Sequence, residues 1–241
     1  MRIRIGTAGW SIPRQVAPEF PAEGSSLERY AARFGVAEIN SSFHRPHRQS
    51  TWQRWHDSVP ESFRFSVKLP KAITHQAKLV GCSDALAHFL DQTSPLGEKL
   101  AVYLVQLPPK LAFDETVAAA FFGELAQGTP ANIACEPRHP SWFTAEADDF
   151  LERTDVARVA ADPAVCEAAA LPGGSSKLRY WRLHGSPAMY RSSYQDRIGL
   201  YAATLRQSAP PAQESWCIFD NTASSAAAGD ALALMRAIEA G

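Results

Sequence analysis

The segment EPRHPSW, residues 136–142, places Glu136, Arg138 and His139 within four positions. A carboxylate beside an imidazole can pass a proton, and a guanidinium grips a carboxylate or phosphate through two parallel N–H bonds. The bland alternative is a loop held by an Arg–Glu pair, its shape set by Pro137 and Pro140. A second histidine, His184 of RLHG (182–185), precedes a glycine that would let a ligand approach the backbone. Glu136, His184 and Asp162 are the candidates for proton transfer. The same three side chains would suit a divalent metal, but no HxH or HExxH spacing accompanies them. No metal site is assigned, and the cofactor stays open.

FDNTASSAAAG, residues 219–229, sets the hydroxyls of Thr222, Ser224 and Ser225 before a helix whose N-terminal amides favour an anion. Phosphate binding is the functional reading, and helix capping by Asn221 or Ser224 is the plainer one. The loop SPAMYRSSYQD (186–196) adds Arg191, Ser192 and Tyr194 from the same side. Lys68, at the end of a strand-like run, is a nucleophile if desolvated, although pairing with Glu38 accounts for it more simply. HRPHR (44–48), with Trp52 and Trp55 nearby, is the most basic short segment and the one suited to a nucleic-acid backbone. Trp52 and Trp55 lie three apart and fit the buried face of a helix equally well.

Eight strand-like runs must position these groups: 3–7, 36–40, 63–68, 100–107, 132–136, 157–162, 179–184 and 216–220. Helix patterns fall between most of them, at 25–34, 51–57, 83–92, 115–126, 144–153, 194–207 and 224–239. The alternation predicts one (β/α)8 TIM-type barrel domain over residues 1–241, with an open doubly wound sheet as the alternative. Residues 163–178, with prolines at 163 and 172 and a Gly-Gly-Ser-Ser stretch, make an irregular or missing sixth helix.

Side chains alternate across a strand, and here the second face is polar. Glu38 and Asn40 share a face, as do Arg64, Ser66 and Lys68, and as do Tyr180, Arg182 and His184. Placing that face inside the barrel predicts an interior of Arg64, Lys68, Arg158 and Arg182 against Glu38, Glu136, Asp162 and Asp220. Such charges must pair or reach the barrel mouth. Most polar strand ends fall at the C-terminal rim, where barrels build their sites. The predicted ligand contacts are therefore Trp10, Glu38, Asn40, Lys68, Gln106, Arg138, His139, Arg182, Asp220 and Asn221.

With 24 Lys and Arg against 25 Asp and Glu, the chain has no global pull toward nucleic acid or anionic membrane. Cys82, Cys135, Cys166 and Cys217 show no zinc-like spacing and read as reduced thiols. The opening MRIRIGTAGW lacks a signal peptide's apolar run, and no segment reaches the roughly 20 apolar residues of a membrane helix. A cytoplasmic protein with no membrane partner is expected.

Seven stretches occur in order: GTAGW (6–10), VAEINSSFHR (36–45), FRFSVKLPKAITH (63–75), LVQLPP (104–109), EPRHPSW (136–142), RLHG (182–185) and FDN (219–221). Together they resemble the YecE-like family, the domain of unknown function numbered seventy-two. The resemblance implies a (β/α)8 barrel and brings a suggestion of DNA binding, by likeness to barrel endonucleases of the endonuclease-four type. The chain departs from the family's usual residues at His44 (Tyr), Ala8 (Ser) and Asp220 (Asn), the last adding a negative charge to the rim. The expected function is acid–base or hydrolytic chemistry on an anionic ligand, phosphorylated or derived from nucleic acid. The alternatives are a nucleic-acid-binding barrel without catalysis and a small-metabolite binding protein.

Overall fold

Short runs of β-branched and aromatic residues, bounded by Gly, Pro and Asn, form the parallel strands of a closed sheet. A computed structural model describes residues 2–207 and 214–240. The strands are β1 (Arg2–Ala8), β2 (Val36–Ile39), β3 (Arg64–Lys68), β4 (Leu100–Gln106), β5 (Asn132–Glu136), β6 (Val156–Arg158), β7 (Ala160–Asp162), β8 (Gly173–Gly174), β9 (Leu178–Leu183) and β10 (Glu214–Phe219). Their order is β7-β9-β10-β1-β2-β3-β4-β5-β6-β8. β6 and β7 are halves of one strand interrupted at Val159: the first pairs with β5 and the second with β9. That handover closes the ring into the predicted eight-stranded barrel.

The outer ring comprises α1 (Ser26–Ala31), α2 (Gln49–Asp57), α3 (Ser83–Thr93), α4 (Glu115–Gln127), α5 (Ala145–Arg153), α6 (Ile198–Gln207) and α7 (Ala227–Glu239). Side-chain caps start several of them: Ser25 and Glu28 form a reciprocal capping box on α1, and Asp114 and Thr144 cap α4 and α5. Between β7 and β9 a short 3-10 turn, Glu167–Ala170, and the two-residue β8 stand where a sixth helix would be. Gly6 serves close packing: a Cβ there would lie 2.3 Å from the carbonyl oxygen of Val36 on the neighbouring strand.

The barrel interior has two storeys. Val36, Val102, Leu104, Ala134, Ala157, Val159, Leu178, Tyr180, Trp216 and Ile218 form a buried apolar cluster. One strand step toward the C-terminal end, the inward positions become Glu38, Gln106, Glu136, Arg182 and Asp220.

The predicted interior needs correcting at β6 and β7. Val159 faces inward, so Arg158 and Asp162 point out. Arg158 donates to Asp148 of α5 at 2.9 Å and to the carbonyl oxygens of Ala168 and Leu171. The missing helix leaves turn carbonyls there to satisfy a guanidinium. Asp162 accepts from Arg197 and from Tyr201 of α6, both at 2.8 Å. Arg64 lies at the other end of the barrel, donating to the carbonyls of Glu61 and Phe63. No described helix is long and apolar enough to cross a membrane, and all four cysteines are free.

Candidate functional site

Arg182, at the end of β9, is the centre of the charged storey. Its Nη2 donates to Glu38 at 2.6 Å and to Asp220 at 3.0 Å, its Nε to Glu38 at 3.0 Å, and its Nη1 to Glu136. Tyr180, one inward position below, donates to the second Glu38 oxygen at 2.8 Å. Arg182, Glu38 and Glu136 are 0% exposed. Burial disfavours the charges of Arg182 and Glu136, but the surrounding partners win: three carboxylates raise the Arg182 pKa, and Arg182, His184 and Arg138 hold Glu136 well below the usual carboxylate range.

His184 is fully buried between two acids. Its Nδ1 lies 2.9 Å from Asp220 Oδ2, and its Nε2 lies 2.9 Å from Glu136 Oε1. Both carboxylates favour a ring with protons on both nitrogens, while Arg138 Nη2, 3.0 Å from Nε2, is a donor that competes for that position. Its pKa is accordingly raised: burial opposes the charge, and Glu136 overcomes it with help from the Asp220 bond. Asp220 is held low, with Arg182 and the His184 bond outweighing burial.

Two further cations sit toward the mouth. Lys68 Nζ donates to Gln106 Oε1 at 2.8 Å and lies 4.2 Å from the centre of the Phe43 ring. Gln106 in turn donates to Glu136 Oε2 at 3.0 Å, and Arg138 Nη2 pairs with Glu136 Oε1. Lys68 thus has an amide and an aromatic ring for neighbours, and the expected Lys68–Glu38 pair does not form. Burial, reinforced by Arg182, lowers the Lys68 pKa to about 8. Arg138 Nε is buried and has no hydrogen-bond partner among the described residues. With Lys68 and His184 protonated, four cations face three carboxylates, so the cluster has a net positive charge.

Asp220 also lines a cavity of about 580 Å³ beside the cluster, between the β1–α1 loop and the end of β2. Trp10, Ser11, Asn40, Ser41 and Thr222 share its wall. Trp10 is edge-on to Trp55 with ring centres 5.2 Å apart. Asn40 Oδ1 is buried and, among the described residues, unpartnered.

The structure gathers the predicted residues Glu38, Lys68, Gln106, Glu136, Arg138, Arg182, His184 and Asp220 into one bonded network, with Trp10 and Asn40 in the adjoining cavity. Others lie apart. Asp162 is on the outer face, so the trio of Glu136, Asp162 and His184 does not converge. Among the described residues no group of His, Cys, Asp and Glu is arranged to hold a metal. His139 accepts from the Ser141 amide and caps the turn Pro140–Phe143. Asn221 donates to Ser192 O and to the buried Asp230 at 2.7 Å. Ser224 donates to the carbonyl of Arg191. Thr222 and Ser225 line a tight pocket against the start of α7. In the HRPHR segment, His47 is 2.8 Å from Ser41 Oγ and packs on both Trp52 and Trp55.

Three residues escape a sequence reading. Tyr180 is visible to strand parity as inward, but nothing in its surroundings marks it as a carboxylate donor. Tyr190, from the loop after β9, has left-handed backbone (φ 64) and sets its ring 5.9 Å from that of His184. Asp230 accepts from Ser193 Oγ, the Tyr194 amide, Gln195 and Asn221, which fixes that loop from inside α7. A lone aspartate in an alanine-rich helix gives no sign of this.

Residues 4–241 match the family described as "Protein of unknown function DUF72". The "UPF0759 protein YecE" of Escherichia coli (strain K12) is 34% identical over 152 residues, 63% of this chain and 54% of that protein. The match therefore spans about half of that relative's length. The crystal structure of a DUF72 family protein from Enterococcus faecalis V583 superimposes with a TM-score of 0.81 at 20% identity, covering 98% of this chain and 95% of that one. A DUF72 family protein from Thermotoga maritima MSB8 gives 0.79 at 22% identity, covering 99% and 100%. The two structures share the barrel, and the family match covers nearly the whole sequence: the chain belongs to the DUF72 family.

Proposed function

We propose that the barrel is an enzyme that takes an anionic ligand at its C-terminal mouth and performs acid–base chemistry on it, hydrolysis included. The observation that carries this reading is the buried Nε of Arg138, a charged donor with no acceptor among the described residues. Buried donors are almost always paired, so an oxyanion from outside is the natural partner. Among the described residues Arg138 keeps its Nε free while Nη2 holds Glu136, and Lys68 donates only to the amide of Gln106, so these two cations are the ones placed to meet a phosphate or carboxylate.

Lys68 is the group suited to exchange a proton. A catalytic acid or base works best with a pKa near the working pH, and burial brings this amine to about 8. His184 has both nitrogens occupied and is fully enclosed, so it is better suited to hold Glu136 and Asp220 in place. Glu136 orients Arg138 and, through Gln106, Lys68.

Calorimetric titration with inorganic phosphate tests the binding half of the reading. Wild type should bind, with Arg138→Ala and Lys68→Met each weakening affinity about tenfold or more. A turnover screen over phosphate esters and carboxylic acids tests the chemistry. Activity in wild type that Lys68→Met abolishes supports an enzyme; binding without turnover by any substrate points to a metabolite-binding protein.

A nucleic-acid reading draws on one feature. The exposed His44 and Arg45 border a second groove of about 520 Å³ with Lys71 and His88. Affinity for a DNA or RNA oligonucleotide that falls steeply with added salt would favour it.

A further inference from the structure

The cavity beside the charged cluster differs from it in character. The cluster is made of paired charges, whereas the cavity wall sets the hydroxyls of Ser11, Ser41 and Thr222, the Asn40 amide and the Trp10 indole beside only two charged residues, Asp220 and Arg29. Its volume, about 580 Å³, falls in the range of small-molecule sites.

Two residues of the cavity wall, Asn40 and Asp220, carry acceptors without a full set of partners among the described residues. Asn40 Oδ1 is buried and unpartnered among the described residues. Asp220 receives Arg182 and His184 on Oδ2 alone, and the residue lines the cavity. Acceptors left in this way call for a ligand that brings donors. An ammonium would bring donors, but the guanidinium of Arg29 on the same wall disfavours a second cation. A hydroxyl brings a donor without charge, and its own oxygen can in turn accept from Ser11 or Thr222. Trp10, fixed edge-on by Trp55, supplies a surface for the C–H faces of a carbon chain or ring.

We propose that this cavity is the subsite for the hydroxylated body of the ligand, and that the ligand class is a sugar-like anion, phosphorylated or carboxylated. The position of the charged end rests on the anion reading above; the hydroxyl subsite rests on Asn40, Asp220 and Trp10.

Calorimetry on the full chain separates the two. The probes are triose to hexose phosphates, hexuronates, the matching uncharged sugars, inorganic phosphate and acetate. At least one hydroxylated anion should bind about tenfold tighter than inorganic phosphate or acetate, a gain worth about 1.4 kcal/mol. Whether phosphates or uronates show that gain identifies the anionic group. Asn40→Ala should abolish the gain and leave inorganic phosphate affinity unchanged, and Trp10→Phe should retain more of it than Trp10→Ala. Thermal melts of each variant establish that it is folded. If no hydroxylated anion exceeds phosphate or acetate, or if the gain survives in Asn40→Ala, the subsite is overturned. If the gain is present and Asn40-dependent but indifferent to Arg138→Ala, the subsite stands and the anion reading fails.

Discussion

Arg182 of β9 grips Glu38 of β2 through the barrel interior by Nε and Nη2, the latter at 2.6 Å, with neither side chain exposed. Strands that are not neighbours in the sheet are thereby tied through the interior. A buried ion pair of this kind is a poor source of net stability, but losing one partner strands the other in a low-dielectric space. Arg182→Met should lower the unfolding free energy by roughly 3–5 kcal/mol, read from urea denaturation. Combining it with Glu38→Gln should cost clearly less than the sum of the two single changes. Additive effects would show that the pair is not coupled.

Lys68 should oppose stability at neutral pH. Its folded pKa of about 8 lies below the ordinary lysine value of 10.5, so in the range between them the unfolded chain binds the extra proton. Stability attributable to this residue therefore rises as pH increases from 8 toward 10.5. Lys68→Met, which keeps the stem and removes the charge, should raise stability at pH 7 by about 1–3 kcal/mol while impairing ligand binding. A variant less stable than wild type at that pH would place Lys68 among the structural cations.

The acid side follows from Glu136 and Asp220, whose folded pKa values are depressed. Their contribution is complete above the unfolded carboxylate range of about 4 and is lost as pH falls through the lower folded values. His184 has a raised folded pKa. Its contribution is complete below the unfolded value of about 6.5 and is lost as pH rises through the folded one. His184→Gln should flatten the decline above neutrality in a melting-temperature profile. Asp220→Asn should flatten part of the acid limb.

Asp230 gathers four donors from the β9–α6 and β10–α7 connections. Asp230→Ala leaves those donors unmatched and should cost about 2–4 kcal/mol. Hydrogen exchange should quicken across residues 186–195, which include Tyr190, while the strands stay protected. Protection unchanged in that loop would mean that other contacts hold it.

The barrel and most of its rim are legible in the sequence because strand parity is simple where one face is polar. In β2, β3, β5 and β9 the residue before the C-terminal turn is charged and the alternate face is apolar, so Glu38, Lys68, Glu136 and Arg182 can be placed without coordinates. β6 and β7 defeat the same rule. Their charged residues share one face and the other, Ala157, Val159 and Ala161, is small and apolar, so the rule that turns the polar face inward fails. Asp148 and the carbonyls left by the missing sixth helix hold Arg158 outside. Asp162 likewise follows Arg197 and Tyr201, partners 35 and 39 residues away in sequence. Pairing within the rim was harder to read than its membership. Lys68 chooses Gln106 and Phe43 over Glu38 because Arg182 has already taken both oxygens of that acid.

The apolar storey beneath the charges stops solvent entering from the N-terminal end. Arrival, departure and the exchange of displaced water are then left to the C-terminal side, where the charged layer adjoins the cavity beside Trp10.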